Sequence, residues 1–326
     1  MAQALLAAFK QAGIRADLAC ELRSRDGAGN TQVQTELRAQ ATALLPQIIA
    51  QGRTKGWSAW VTYHTYYKAP DLIGPAVARA LGIPYLLVEA TRARKRLGGP
   101  WDAFAQASEQ ACDQADAIFY LTQRDREALA AYAPVGQRLI HLAPFLPRND
   151  LPPAAHGNHL LAVGMMRVAA KLASYQLIAD TMALLPAHTT LEIAGDGPAR
   201  AQVHAAMAPL GGRVTFLGAL APDALSAAYS RASALIWPGV DEAFGVTYLE
   251  AQAHGLAVIA QDRPGVRDVL FPRSYPAVSM GAQGLADLAQ SPAPRAEEIR
   301  EFMTEKHLLP TASKTLVDGL RLVGAL

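Results

Sequence analysis

The sequence predicts an α/β protein built from two doubly wound, Rossmann-like domains. Short apolar runs alternate with stretches whose apolar residues recur at helical spacing, and a proline-rich stretch interrupts this alternation near the middle. The chain has 326 residues, more than a single hydrophobic core usually serves. Sheets of this class bind ligands beyond the carboxyl ends of their strands, so we expect the two domains to face a cleft.

The first half, residues 1–147, is predicted to form one of these domains. Its candidate strands are the apolar runs 16–22, 58–64, 84–90, 117–123 and 138–144. The chain opens on a helical pattern, "MAQALLAAFKQAGI", where such a domain normally opens on a strand and a Gly-rich turn. We therefore expect this domain to lack its first strand, unless the start codon is assigned too late.

The stretch "PFLPRNDLPPAAHGNH" (144–159) is typical of a linker, which we assign to residues 148–158. The pattern then restarts, and residues 159–309 are the predicted second domain. Its candidate strands are 160–165, 189–197, 213–219, 233–239 and 256–262. The segment 296–326 has the pattern of two helices, and the last, about 310–326, is expected to pack back on the first domain.

Composition excludes several classes of protein. The 30 basic and 28 acidic residues give a formal net charge of +2, without the basic excess of a nucleic-acid binder. Two distant cysteines indicate reduced thiols of a cytoplasmic protein. No apolar run reaches the length of a membrane span, and the N-terminus does not resemble a secretory signal. No Gly-x-Gly-x-x-Gly follows a strand, which argues against a hydride-transferring enzyme.

Cations follow the first predicted strand of the second half. After this strand come Gly164, Arg167 and Lys171, directly before a helix. Two cations at a strand-to-helix junction suit a diphosphate, because the helix N-terminus adds free N–H groups and partial positive charge. Further along, Gly218 ends the strand "VTFLG", where a backbone can pass close to a flat base.

The stretch "DEAFGVTYLE" (241–250) places two carboxylates eight positions apart. Glu242 lies in the loop before a helix that is predicted to start at Val246, and Glu250 lies within that helix. The N–H groups around Phe244, Gly245 and Val246 can hold phosphate, while each carboxylate can bind sugar hydroxyls.

Four motifs in order resemble the retaining glycosyltransferases of family 4, the glycosyl transferases group 1, which have the GT-B fold. They are Val-Gly-x-x-Arg with a downstream Lys, Gly-Asp-Gly-Pro (195–198), Val-Thr-Phe-Leu-Gly (214–218) and Glu-Ala-Phe-Gly followed by Glu-Ala (242–251). The resemblance covers residues 160 to about 270. The sequence departs from the usual pattern at Ala257, where proline is common, and at Arg167, which follows Gly-Met-Met and not Gly directly.

The resemblance implies a role for each residue. Arg167 and Lys171 would neutralise the donor diphosphate, so that no metal is required, and Glu250 would bind the nucleotide ribose. Glu242 would bind hydroxyls of the transferred sugar. The remaining implied donor contacts are the backbone at Gly164, Phe244, Gly245 and Val246, and Gly218 beside the base. Both UDP- and GDP-sugars fit this pattern.

Two features of the first half complete the prediction. His64 ends a strand at a place where the family often has a histidine that faces the donor sugar. A basic cluster follows Glu89 and consists of Arg92, Arg94, Lys95 and Arg96. These four cations are candidates for contact with an acceptor, a glycan or a lipid-linked sugar, or with an anionic membrane surface.

The resemblance predicts an enzyme that transfers a sugar from a nucleotide diphosphate sugar with retention of configuration. Glu242 is the only nucleophile the motif offers for a double displacement, and its implied place on the sugar hydroxyls favours front-face transfer instead. Two alternatives are a nucleotide-sugar-binding protein with a shortened, inactive acceptor domain, and a sugar-nucleotide epimerase on the same fold.

Overall fold

The computed structural model describes all 326 residues and contains nine strands and twelve α-helices. The chain divides into two compact units. The first comprises Met1–Ala143 and Pro310–Leu326, and the second Pro144–Leu309. The predicted fold class, two Rossmann-like α/β domains, is confirmed.

The first unit contains a four-stranded parallel sheet in which strands follow one another in chain order. The inner strands, "YLLV" and "AIFY", are buried along their whole length, which explains their uninterrupted apolar sequences. The strands are β1 (Trp60–Tyr63), β2 (Tyr85–Val88), β3 (Ala117–Tyr120) and β4 (Arg138–His141), and the helices are α1 (Ala2–Gln11), α2 (Thr31–Lys55), α3 (Gly74–Leu81), α4 (Asp102–Gln114) and α5 (Gln123–Ala130).

The strand expected at residues 16–22 does not form. No strand pairs with this segment, and it is held by side chains instead. The Asp17 carboxylate accepts a 2.9 Å hydrogen bond from Trp57 Nε1 and lies 3.4 Å from Lys55 Nζ. Cys20 and Leu22 pack beside the cluster that contains Ile48 and Val77. This apolar run therefore packs partly on a helical cluster, without a neighbouring strand.

The second unit contains a five-stranded parallel sheet in the order β7-β6-β5-β8-β9. The order reverses between the adjacent strands β5 and β8, and ligands bind at such a switch point, beyond the carboxyl ends of the strands. The strands are β5 (His159–Val163), β6 (Leu191–Ala194), β7 (Val214–Gly218), β8 (Ala232–Ile236) and β9 (Ala257–Ile259), and the helices are α6 (Ala170–Leu184), α7 (Arg200–Met207), α8 (Pro222–Ser230), α9 (Val246–Ala253), α10 (Gly281–Gln290) and α11 (Ala296–Lys306).

The last helix, α12 (Leu309–Leu322), belongs to the first unit from Pro310 onward. Ser313 Oγ donates a 2.9 Å hydrogen bond to the carbonyl of Ala8, which ties α12 to α1. Gly319 of α12 lies directly against the ring of Phe119 and against Ile140. The helix therefore packs on the sheet at a position where the helix has a glycine and no side chain intervenes. None of the helices combines the length and the apolar character that crossing a membrane requires.

The substitution Gly319→Ala should destabilise the protein, because the added methyl group would press on Phe119 and such overpacking costs about 1–3 kcal/mol. Alanine regains ~1 kcal/mol over glycine in a helix, so we expect a net loss of up to about 2 kcal/mol. Denaturant unfolding measures the difference, and Gly212→Ala is the control because a Cβ at Gly212 meets nothing within 4 Å. An unchanged or raised stability of Gly319→Ala would contradict this packing of α12.

Candidate functional site

The loop after β5 is shaped by close backbone approach. A Cβ on Gly164 would lie 2.6 Å from the indole of Trp237, and the Gly164 carbonyl accepts a 2.6 Å hydrogen bond from Tyr175 Oη. Ala169, at φ 63°, precedes the first residue of α6. Arg167 is exposed in this loop, and Lys171 is half-buried in the first turn of α6. The two predicted diphosphate cations therefore leave the same strand end.

Lys171 pairs with Glu242, which reaches it from the loop after β8. Lys171 Nζ contacts Glu242 Oε1, and the same oxygen accepts a 2.8 Å hydrogen bond from Trp237 Nε1. Lys171 Nζ also lies 5.1 Å from the centroid of the Trp237 ring. Because β5 and β8 are neighbours in the sheet, this interaction bridges the two strands at the switch point.

Trp237 is a site residue that the sequence motif did not single out. It lies at the end of an apolar run and is only 1% exposed, so its pattern is that of a core residue. The signal that could have found it is its position, immediately after a strand and five residues before Glu242. Tyr248 holds it from behind, since Tyr248 Oη donates a 3.0 Å hydrogen bond to the Trp237 carbonyl.

The loop before α9 depends on glycine. Gly245 has φ 82°, and a Cβ there would lie 2.7 Å from the ring of Tyr248. No side chain caps α9, so its first two N–H groups, from Val246 on, have no partner in a cap, whereas Tyr248 N donates a 3.2 Å hydrogen bond to the Gly245 carbonyl. Phe244 is half-buried, and Val246 is exposed. The loop thus presents free N–H groups beside Glu242, an arrangement suited to an anion.

Glu250 lies one helical turn further along α9. Its Oε2 accepts a 2.9 Å hydrogen bond from Tyr229 Oη. Burial raises the pKa of the Glu250 carboxyl, and the bond from Tyr229 opposes part of that rise. Burial also raises the pKa of the Tyr229 hydroxyl well above its ordinary value, so Tyr229 remains a proton donor to the carboxylate.

The turn after β6 joins the loops on either side of it. Gly195 packs so closely against the Gly164 carbonyl that a side chain would collide with it, and Gly195 N donates a 2.8 Å hydrogen bond to the Gly218 carbonyl. Gly218 has φ 70°, and a Cβ there would enter open space. Asp196 instead binds Gly197 N and pairs with Arg200 on α7. Gly218 therefore borders free volume, while Asp196 supports its own turn.

Four residues other than glycine adopt positive φ, and all four follow strands. Ala169 and Asp241 stand close to Lys171 and Glu242 in the second unit, while His64 and Glu89 end β1 and β2 in the first. Such conformations cost on the order of 1–3 kcal/mol each and concentrate at functional sites.

His64 forms a pair with Glu89 in the first unit. His64 Nδ1 lies 3.4 Å from Glu89 Oε1. The hydrogen bond with Glu89 raises the pKa of the His64 imidazole; burial opposes the rise, and the charges of Glu89 and Asp125 add to it. Burial raises the pKa of Tyr63, and the neighbouring Glu89 adds to this. Glu89 thus orients the ring through Nδ1 and leaves Nε2 to donate to a ligand.

The basic cluster of the first unit does not act as one surface. Arg92 is buried, and its guanidinium donates 2.7 Å hydrogen bonds to Glu109 and Asp113 and a 3.1 Å bond to the Tyr132 carbonyl. The expectation that Arg92 contacts an acceptor or a membrane is therefore wrong, because its guanidinium N–H groups bind the two carboxylates of α4 inside the fold. Arg94 and Lys95 are exposed, and Arg96 is half-buried.

No group of three or more His, Cys, Asp or Glu side chains in the structure could hold a metal ion. The cationic groups near the switch point are instead Arg167, in the loop after β5, and Lys171.

The sequence of the second unit resembles that of known glycosyl transferases. Residues 157–290 match the profile of the family described as Glycosyl transferases group 1, so this part of the chain is similar to that family. The 2-deoxystreptamine glucosyltransferase of Streptomyces kanamyceticus is 26% identical over 264 residues, which cover 70% of this chain and 67% of that relative.

Solved glycosyltransferase structures share the fold. The pneumococcal O-GlcNAc transferase GtfA, in complex with UDP and GlcNAc, aligns with a TM-score of 0.59 at 17% identity over 85% of this chain. Anabaena Alr3699/HepE, in complex with UDP and glucose, aligns with a TM-score of 0.63 at 15% identity over 96% of this chain and 88% of its own. This chain spans 59% of the GtfA chain.

The substitution Glu89→Gln should lower the pKa of His64, because it removes the negative charge and replaces the carboxylate acceptor with a weaker, neutral amide while burial remains. A histidine with a raised pKa stabilises the fold below its unfolded pKa of about 6.5, and this contribution is lost as pH rises through the folded pKa. In Glu89→Gln, that part of the pH dependence of unfolding should disappear.

NMR titration of the imidazole of His64 measures this pKa, and Glu127→Gln, an exposed change on α5 of the same unit, is the matched control. An unchanged His64 pKa in Glu89→Gln would show that the pair does not set the protonation state of this ring.

Proposed function

We propose that this protein moves a sugar from a nucleotide diphosphate sugar to an acceptor hydroxyl with retention of configuration. The interaction of Glu242 with Lys171 and Trp237 at the switch point carries the proposal. It sets a cation and a carboxylate side by side next to uncapped helix N–H groups, and these are the groups that a charged diphosphate and a hydroxylated sugar need.

The donor diphosphate would lie against Lys171, Arg167 and the N-terminus of α9. Lys171 is a half-buried ammonium on a flexible stem, so it can turn from Glu242 towards a phosphate oxygen without moving α6. These cations stand where a metal ion would otherwise neutralise the charge, so the proposed chemistry requires no metal.

Two carboxylates would fix the sugar parts of the donor. Glu250 lies one turn inside α9, half-buried and oriented by Tyr229, and would bind hydroxyls of the ribose. The Oε1 atom of Glu242 is occupied by Lys171 and Trp237, which leaves Oε2 for hydroxyls of the transferred sugar. Gly218 borders open volume and would flank the base of a UDP- or GDP-sugar.

Front-face transfer suits this arrangement better than double displacement. Trp237 Nε1 holds one oxygen of Glu242, and the other oxygen is assigned to hydroxyls of the transferred sugar, so we take this carboxylate as a binding group and not as the nucleophile. In the proposed step, the bond from the anomeric carbon to the diphosphate oxygen breaks and the bond to the acceptor oxygen forms on the same face. The acceptor proton passes to the departing diphosphate, whose growing charge Lys171 and the helix N–H groups stabilise.

The substitution Lys171→Ala should lower kcat by about 10²–10³ while donor binding weakens less, because the charge on the leaving group grows in the transition state. Release of nucleoside diphosphate at saturating donor measures kcat. Lys306→Ala, an exposed change on α11 of the same unit, is the control and should leave kcat unchanged. Equal turnover of Lys171→Ala and the wild type would exclude this role for the lysine.

The product of the same reaction tests retention. The anomeric coupling in its proton NMR spectrum should match that of the donor sugar, and an inverted product would refute front-face transfer. Donor that binds without any turnover would favour a nucleotide-sugar-binding protein, and epimerised donor in the absence of acceptor would favour an epimerase.

A further inference from the structure

A row of aromatic rings leads away from His64 within the first unit. The His64 and Tyr66 rings lie 4.9 Å apart between centroids, Tyr66 and Tyr67 5.8 Å, and Tyr67 and Trp101 5.6 Å. We call these four residues the aromatic row. Its rings meet edge to face, so the row is a packed series that joins the loop after β1 to the start of α4.

Two cations converge on the far end of the row. Lys68 Nζ lies 5.7 Å from the centroid of Tyr67 and 5.2 Å from that of Trp101. The guanidinium carbon of Arg96 lies 4.9 Å from Tyr67 and 5.7 Å from Trp101. Lys68 and Arg96, here the cation pair, therefore lie over the same two rings.

No acidic residue neutralises the cation pair. Neither Lys68 nor Arg96 forms an ion pair, and the buried Nε of Arg96 has no hydrogen-bond partner. Arg92, only four residues before Arg96, contrasts with this because two carboxylates bind its guanidinium. Stacking on rings contributes only about 0.5–1 kcal/mol at exposed sites, so the positive charge still lacks a counterion.

The support of the cation pair is rigid. Asp26, only 4% exposed, accepts at its carbonyl a 3.0 Å hydrogen bond from Trp101 Nε1, and Asp26 N donates a 2.8 Å bond to the Lys68 carbonyl. Gln34 Nε2 donates to Asp26 Oδ2 at 2.8 Å and to the Pro100 carbonyl at 2.9 Å. The loops that carry Lys68 and Trp101 are thus joined through the backbone of one buried residue, Asp26, and a ligand would meet a site that is already formed.

We infer that the cation pair binds the phosphoryl group of the acceptor, a phosphorylated sugar. This inference rests on the proposed glycosyl transfer. A planar guanidinium and a compact ammonium on one small area suit the oxygens of a phosphate or diphosphate. The aromatic row would then support the sugar along its length, with the reactive hydroxyl towards His64 Nε2.

The phosphoryl group could belong to a soluble sugar phosphate or to a lipid-linked diphosphate sugar, and both present the same chemistry to the cation pair. A flat membrane surface fits the site less well. Both cations are half-buried against rings, whereas cations that contact lipid headgroups extend into solvent.

The indole N–H signals of the four tryptophans test the inference by NMR. Trp101 reports on the cation pair, and Trp237, bonded to Glu242, reports independently on the donor site. Assignment uses Trp→Phe variants. The probes are pyrophosphate and N-acetylglucosamine 1-phosphate up to millimolar concentration, a lipid-linked diphosphate sugar in detergent, phosphatidylglycerol vesicles, and UDP- and GDP-sugars.

Soluble phosphates should shift the Trp101 signal in the wild type, and Lys68→Gln and Arg96→Gln should each weaken their binding about tenfold. Arg53→Gln, an exposed cation change on α2 of the same unit, should have no effect. Tighter binding of the lipid-linked sugar than of N-acetylglucosamine 1-phosphate would identify a lipid-linked source, and the reverse a soluble one.

The inference is overturned if no phosphate compound moves the Trp101 signal, if the two charge variants bind like the wild type, or if only vesicles move it. The proposed function is tested separately, and it is contradicted if no nucleotide sugar shifts the Trp237 signal.

Discussion

The hydrogen-bonded contact of Glu242 with Lys171 and Trp237 is the interaction on which the rest of the second unit depends. It joins the loops that follow β5 and β8, the two strands between which the sheet changes direction. The indole of Trp237 fits there only because Gly164 has no side chain, and Tyr248 fixes the Trp237 carbonyl. The packing of Trp237 supports the charged pair of Lys171 and Glu242, and both side chains of the pair remain partly exposed.

Backbone strain coincides with the functional residues in both units. Asp241 adopts positive φ one residue before Glu242, and Ala169 does so two residues before Lys171. His64 and Glu89 adopt positive φ themselves, at adjacent strand ends. In both units, residues with positive φ therefore lie in the loops that follow strands and that carry the candidate site residues.

The sequence predicted the second unit well because its signals are local. The eight-residue spacing of Glu242 and Glu250 around Phe-Gly reflects one loop and one helix, and the structure has α9 begin at Val246 as expected. Trp237 and Tyr229 were missed because an aromatic residue in an apolar run has the same pattern whether it fills a core or orients a carboxylate.

The first unit was predicted less completely because its interactions are distant in sequence. Arg92 looked like part of a surface cluster, since its partners Glu109 and Asp113 lie on another element; their spacing of four on α4 was the available signal. Cation contacts between Lys68, Arg96 and Trp101 likewise join three separate loops. Residues 16–22 form an apolar run like that of a strand, but such a run alone does not provide a neighbouring strand.

Calorimetric titration of the whole chain with UDP, GDP and their sugars, in the presence of EDTA, tests the donor site most directly. We expect one nucleotide to bind at a 1:1 ratio without metal. Glu250→Gln should weaken the affinity for this nucleotide about tenfold or more, since a hydrogen bond to a charged group contributes roughly 1.5–3 kcal/mol. Glu301→Gln, an exposed change on α11, should bind as the wild type does. The absence of binding for every nucleotide, or equal affinity of Glu250→Gln and the wild type, would contradict the proposed donor site.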